Sequence, residues 1–142
     1  MLDEKITKLL SQKFHCSQVM MQMGMEALEL EEPNLVKAMT GLAGGLGGCG
    51  KNCGALTGGV CMLSLFAGRG TAEEEADPEL AAMVSELLSW FEETYGSADC
   101  GDIIQGDKAN IPATCPQLIC ATCQRALEIL DSRGFPVSSL LD

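Results

Sequence analysis

Histidine is almost absent from this chain: His15 is the single one among 142 residues. That scarcity excludes most hydrolytic metal sites, which draw on several imidazoles. It also leaves no Ser–His–Asp arrangement that the surrounding sequence supports. Basic residues are few, nine Lys and Arg against twenty Asp and Glu, for a net charge of −11. Without a cluster of cations to neutralise phosphates, nucleic acid is excluded as a partner, and so is an anionic membrane surface. There is no phosphate-binding loop and no dinucleotide glycine fingerprint. Residues 53–68 carry no charge, but Lys51 and Arg69 bound them and they fall short of the ~20 residues a membrane span needs. They read as a buried core helix, with no membrane insertion. Met1-Leu2-Asp3-Glu4-Lys5 is acidic where a secretory leader would be basic, and no cleavable apolar segment follows, so a cytoplasmic protein is expected. No β-alternation of useful length and no internal repeat is present.

Cysteine, by contrast, is abundant, with eight in the chain. In a reducing compartment that many thiols read as metal ligands or redox centres rather than a disulfide framework. Four of them fall where helices are expected to begin. Cys16 precedes the run from Ser17, Cys53 follows Asn52, Cys100 follows Asp99, and Cys115 is followed by Pro116. Asn and Asp favour the N-cap and Pro the first helical position. Free N–H groups and the positive dipole end at such a position favour a thiolate, the form that ligates metals and attacks disulfides.

Apolar spacing predicts helices over residues 2–13, 17–30, 35–46, 53–67, 78–95 and 116–132, with a short turn at 100–105. Glu31-Glu32-Pro33 closes the second, Asn34 caps the third, Asp77-Pro78 opens the fifth, and Gly96 and Gly134 follow the ends of the fifth and last. The expected fold is an all-α, compact single-domain helical bundle of five to six helices spanning residues 1–142. Gly41 and Gly45, and likewise Gly54 and Gly58, are four apart on one helical face. Such a face lets backbones approach closely, between helices three and four as a glycine-rich central pair or across a homodimer. It also lets a cofactor or a second sulfur reach backbone N–H groups. Glycine in a helix costs about 1 kcal/mol against alanine, so close packing must offset it. The acidic surplus at Glu29, Glu31, Glu32 and from Glu73 to Glu79 reads as a solvated surface, or as a dock for a basic partner.

The stretch Cys53-Gly54-Ala55-Leu56-Thr57-Gly58 resembles the core of the small redox proteins called the C_GCAxxG_C_C family. The family name puts alanine directly after the cysteine, whereas here Gly54 intervenes, giving CGAxxG. The likeness extends along the chain through an early cysteine, the glycine-rich approach, Tyr95-Gly96-Ser97-Ala98-Asp99-Cys100 and a late cysteine. The resemblance implies redox activity and a set of four cysteines, matched here by Cys16, Cys53, Cys100 and Cys115, with Cys120 the competitor for the last place. Cys49, Cys61, Cys120 and Cys123 are additions to that pattern.

Three chemistries compete for these sulfurs. An iron–sulfur cluster needs four ligands, and helix N–H groups around it would suit its anionic charge. Redox dithiols could cycle through disulfides, with Cys53 near Lys51 as the attacking thiolate and Cys16 or Cys115 as its partner. A structural zinc held by four thiolates is the third, disfavoured by the lack of paired knuckles. Cys120-Ala121-Thr122-Cys123 is a CxxC inside an expected helix, where it can supply half a metal site but lacks a thioredoxin-type context. Cys49 and Cys53, four apart, can supply another half, with Gly54 and Gly58 making room for a cofactor; Cys61, Cys120 and Cys123 can equally be buried packing residues. His15 can serve as ligand, base or helix cap. Met20, Met21, Met23 and Met25 point to different faces of one helix, so they read as packing. Electron transfer through an iron–sulfur centre leads, to or from a redox partner protein.

Overall fold

The computed structural model describes residues 1–141. Its helices are α1 (Leu2–Ser11), α2 (Cys16–Ala27), α3 (Pro33–Ala38), α4 (Gly54–Ala67), α5 (Leu80–Tyr95), α6 (Cys100–Ile103), α7 (Ile111–Ser132) and α8 (Ser138–Leu141). The fold is all-α, as the periodicity predicts, and no strand occurs among the described residues. Nor is any helix among them long and apolar enough to cross a membrane.

Several boundaries follow directly from capping chemistry. Asp77 Oδ1 accepts the Glu79 N–H at 2.8 Å ahead of α5, and Gly96 ends that helix at φ 78°. His15 is the N-cap of α2, where Gln18 Oε1 accepts its N–H at 3.0 Å. Cys53 is the N-cap of α4.

Several boundaries differ from the sequence expectation; α2 ends at Ala27 rather than near Leu30, and α5 begins at Leu80 rather than Pro78. Pro33 is the first residue of α3 rather than the end of what precedes it, because proline's missing N–H costs nothing there. The last helix starts at Ile111, five residues before Pro116, with Pro112 accommodated in its first turn. The third helix stops at Ala38. After a short 3-10 turn, Thr40–Leu42, the chain enters a left-handed turn: Gly44, Gly45, Leu46 and Gly47 all have φ between 66° and 71°. Within it Gly47 N–H bonds the Ala43 carbonyl at 3.0 Å. A left-handed turn costs roughly 1–2 kcal/mol for each residue with a Cβ, and only Leu46 bears one here. Glycine at the other three positions turns the expected helix end into this feature.

α4 is the central rod. Its broadest contact is with α2, and α5 and α7 flank it. Ile6, Met20, Met23, Met62, Leu63, Met83, Leu87, Phe91, Leu127 and Leu130 form the fully buried centre. Met20 and Met23 enter this main core, whereas Met21 and Met25 join Met39 in a smaller cluster beside Cys61. The methionines thus pack outward in two directions from α2, as consecutive helical residues must.

The glycine face of α4 meets α2 rather than the third helix. A Cβ on Gly58 would lie 2.9 Å from Met20 Cβ and 3.0 Å from both Ser17 Cα and its carbonyl oxygen. Ser17 in turn donates from Oγ to the Met39 carbonyl at 2.7 Å, so that wall cannot easily retreat. Gly58→Ala is therefore expected to destabilise by about 1–3 kcal/mol, as overpacking does, despite alanine's better helix propensity. Urea denaturation checks this, and a stabilised variant would contradict the close α2–α4 contact.

Candidate functional site

Two loops, far apart in sequence, are paired backbone to backbone at the head of α4. Cys53 N–H donates to the Ala98 carbonyl at 2.8 Å, Cys100 N–H to the Lys51 carbonyl at 2.6 Å, and Gly101 N–H to the Gly50 carbonyl at 2.9 Å. Asn52 and Asp99 form the antiparallel bridge between them. Glycine makes the approach possible, since a Cβ on Gly101 would lie 3.1 Å from the Gly50 carbonyl oxygen. The pairing fixes Cys53, the N-cap of α4, beside Cys100, the first residue of α6.

The left-handed turn and α2 bring in the third sulfur. A Cβ on Gly54 would lie 2.5 Å from Cys16 Sγ and 3.1 Å from the Leu42 carbonyl oxygen. Only hydrogen at that position lets Cys16 sit against the first turn of α4. Gly45 has no room for a side chain either, because its α-carbon abuts the Lys51 backbone.

Cys115 completes the group from α7. It does not stand at a helix start, as Pro116 suggests from sequence. It lies in the second turn, with Pro116 inside the helix. Cys16, Cys53, Cys100 and Cys115 all line one cavity of about 560 Å³. The rest of its wall is mostly apolar or glycine, including Gly44, Gly47, Gly48, Gly54, Ile104, Leu118 and Ile119, with exposed Lys108, His15 and Thr40 at the rim. Lys108 and Ile104 carry no sequence signal that would single them out. They enter because the segment between α6 and α7 folds over the sulfurs.

Electrostatics at these sulfurs runs opposite to the sequence expectation. Burial pushes the Cys53 thiol up to about 12, against the N–H groups of Leu56 and Ala55, which favour the thiolate. Burial likewise raises Cys16, opposed by the Gly44 and Ser17 N–H groups, and it raises Cys100. Cys115 is pushed up to about 11 by burial, with the charges of Cys16 and Cys100 acting in the same direction. Helix starts are present at three of the four sulfurs, yet desolvation outweighs them. Lys51 is exposed and is not among the groups acting on Cys53. Burial thus favours the protonated thiol at each of the four sulfurs.

The other cysteines lie outside the cavity wall. Cys49 is exposed on the glycine turn beside the mouth. Cys61 packs by the smaller methionine cluster. Cys123 is fully buried in the main core, where burial raises its thiol strongly. Cys120 is half-buried and pushed up to about 11 by burial and by the Asp3 carboxylate. The eight cysteines are all free.

A family model described as "Putative redox-active protein (C_GCAxxG_C_C)" matches residues 14–129. Comparison with curated proteins and with solved structures finds no match.

A pH dependence follows from the thiols. Their deprotonation is harder in the fold than in the unfolded chain, so their contribution to stability is complete below the ordinary thiol value. It is lost as pH rises from about 9 through the folded values of about 11 and 12. Reduced, metal-free protein should hold its urea midpoint near neutrality and lose it progressively above about pH 9, with Cys53→Ser flattening the decline. A midpoint indifferent to pH through that window would contradict the burial of these sulfurs.

Proposed function

The chain belongs to the C_GCAxxG_C_C family of redox-active proteins, and from that premise we propose that it transfers electrons through an iron–sulfur centre held by Cys16, Cys53, Cys100 and Cys115. The observation that carries this reading is their convergence: four cysteines from four separate segments line one cavity. Burial and mutual repulsion keep them from ionising together on their own. A cationic metal core offsets both costs, which is how thiolate ligand sets persist in apolar surroundings.

The wall suits such a group on other grounds. N–H groups of Gly44 and Ser17 at Cys16, and of Leu56 and Ala55 at Cys53, are donors aimed at sulfur. Donors of that kind tune the potential of a thiolate-bound centre. Leu118 and Ile119 are buried behind the sulfurs and exclude water. Among the described residues no three His, Cys, Asp or Glu side chains form a ready-made site for an ion, so either a cluster or zinc would draw the sulfurs inward on binding. Zinc is the weaker reading because the chain lacks paired cysteine knuckles. A cluster spreads its ligands over a wider frame, and the cavity has the space. When bound, it would supply a one-electron couple; the chain's part is to hold it, shield it and present it to a redox partner protein in a reducing, cytoplasmic setting.

Thiol–disulfide exchange is the second reading. Cys16 packs on Gly54, next to Cys53 in sequence, and the two sulfurs influence each other's ionisation. Their raised thiols make them poor attackers near neutral pH, which places this reading second.

Anaerobic purification with iron and acid-labile sulfide analysis tests the proposal. A brown protein with both, lost in Cys53→Ser while far-UV circular dichroism stays helical and Cys61→Ser retains both, is the expected result. A colourless protein whose thiols disappear in pairs under mild oxidant would replace it with the exchange reading. Stoichiometric zinc in a colourless protein would make the site structural.

A further inference from the structure

The cavity around the four cysteines is larger than an iron–sulfur core of a few atoms requires. At about 560 Å³ it lies within the ~300–1,000 Å³ of small-molecule pockets. Its charge is also unlike that of the chain. Twenty residues of the sequence are acidic and the net charge is −11, yet no Asp or Glu lines this cavity. Lys108 is the one Lys or Arg on its wall, and among the described residues it has no carboxylate partner. The neighbouring carboxylate of Asp107 is already engaged, accepting the Ala109 N–H at 2.9 Å.

The position of this cation is informative. Its Nζ lies 4.0 Å from where a Cβ of Gly48 would be, so the ammonium hangs over the glycine turn at the cavity rim. Below the rim the wall is apolar, and it continues outward onto Ile111, a large apolar side chain left 37% exposed. A charged rim above an apolar well is the outline of an amphipathic ligand with one negative group.

We propose that this cavity takes a small amphipathic monoanion, an aliphatic carboxylate, with its carboxylate on Lys108 at the rim and its chain in the well over the cysteines. The proposal rests on reading the cavity as the redox site, since it names the class of ligand that would lie against the sulfurs there. It assigns Lys108 the role of selecting charge in a protein of net charge −11.

Titration calorimetry on the full chain, as isolated anaerobically, tests this with octanoate and octanol as probes. Octanoate should bind saturably, and Lys108→Gln should weaken it about tenfold while leaving octanol unchanged, the loss expected for one charge-assisted contact. Ile119→Asp, which puts a carboxylate on the wall, should abolish binding of both; Leu88→Asp, at an exposed position on α5, controls for a general effect of added charge. No saturable octanoate binding, or equal affinity in Lys108→Gln, would overturn the proposal. Iron and sulfide analysis of the same samples separates the two readings: octanoate binding without iron leaves the ligand site standing and removes the cluster, whereas iron without octanoate binding does the reverse.

Discussion

Close backbone approach at the head of α4 is the constraint on which the site depends. Gly54 and Gly58 let α2 lie against α4, and Gly54 leaves free the space that Cys16 Sγ occupies. Gly50 and Gly101 permit the pairing that sets Cys53 beside Cys100. A side chain at Gly54, Gly58 or Gly101 would crowd backbone or sulfur, and Gly50 is needed for its positive φ of 72°, so the glycines serve convergence. Their conformational cost is met by the buried packing of α4 against α2, α5 and α7.

The same packing decides the chemistry of the sulfurs. A helix N-terminus favours a thiolate by a modest local field, whereas burial removes water from the whole group. Cys53 feels both, and its thiol still ends near 12. Burial therefore sets these thiols against ionising near neutral pH, and under the reading proposed above a cation bound by the sulfurs would offset that cost. Cys49, exposed on its turn, and Cys123, enclosed in the core, show the two environments a cysteine has in this fold when it is not part of that group.

Much of this was legible in the residues. The helical periods and the Gly96 stop could be read from local sequence, and the four cysteines that line the cavity are those the family resemblance pointed to. The left-handed turn could not, because a glycine pair after an apolar run marks a weak helix end equally well. The Asn52–Asp99 bridge joins loops that have no periodicity, and no local signal announces such a pairing. Pro116 misled for a different reason: Pro112 already occupied the start of α7, so the second proline and Cys115 fell within the helix. Lys108 was silent because its meaning is the acid-free wall around it, a property of the assembled fold.

What unites these observations is that four distant cysteines face one enclosed space. Treating the reduced protein with a short bifunctional thiol cross-linker, for long enough that slowly ionising thiols react, then mapping the bridged peptides by mass spectrometry, reads that arrangement directly. The account predicts bridges drawn from Cys16, Cys53, Cys100 and Cys115, with Cys61 and Cys123 left unlinked to any of them. Bridges scattered across all eight cysteines, or none among those four, would contradict it.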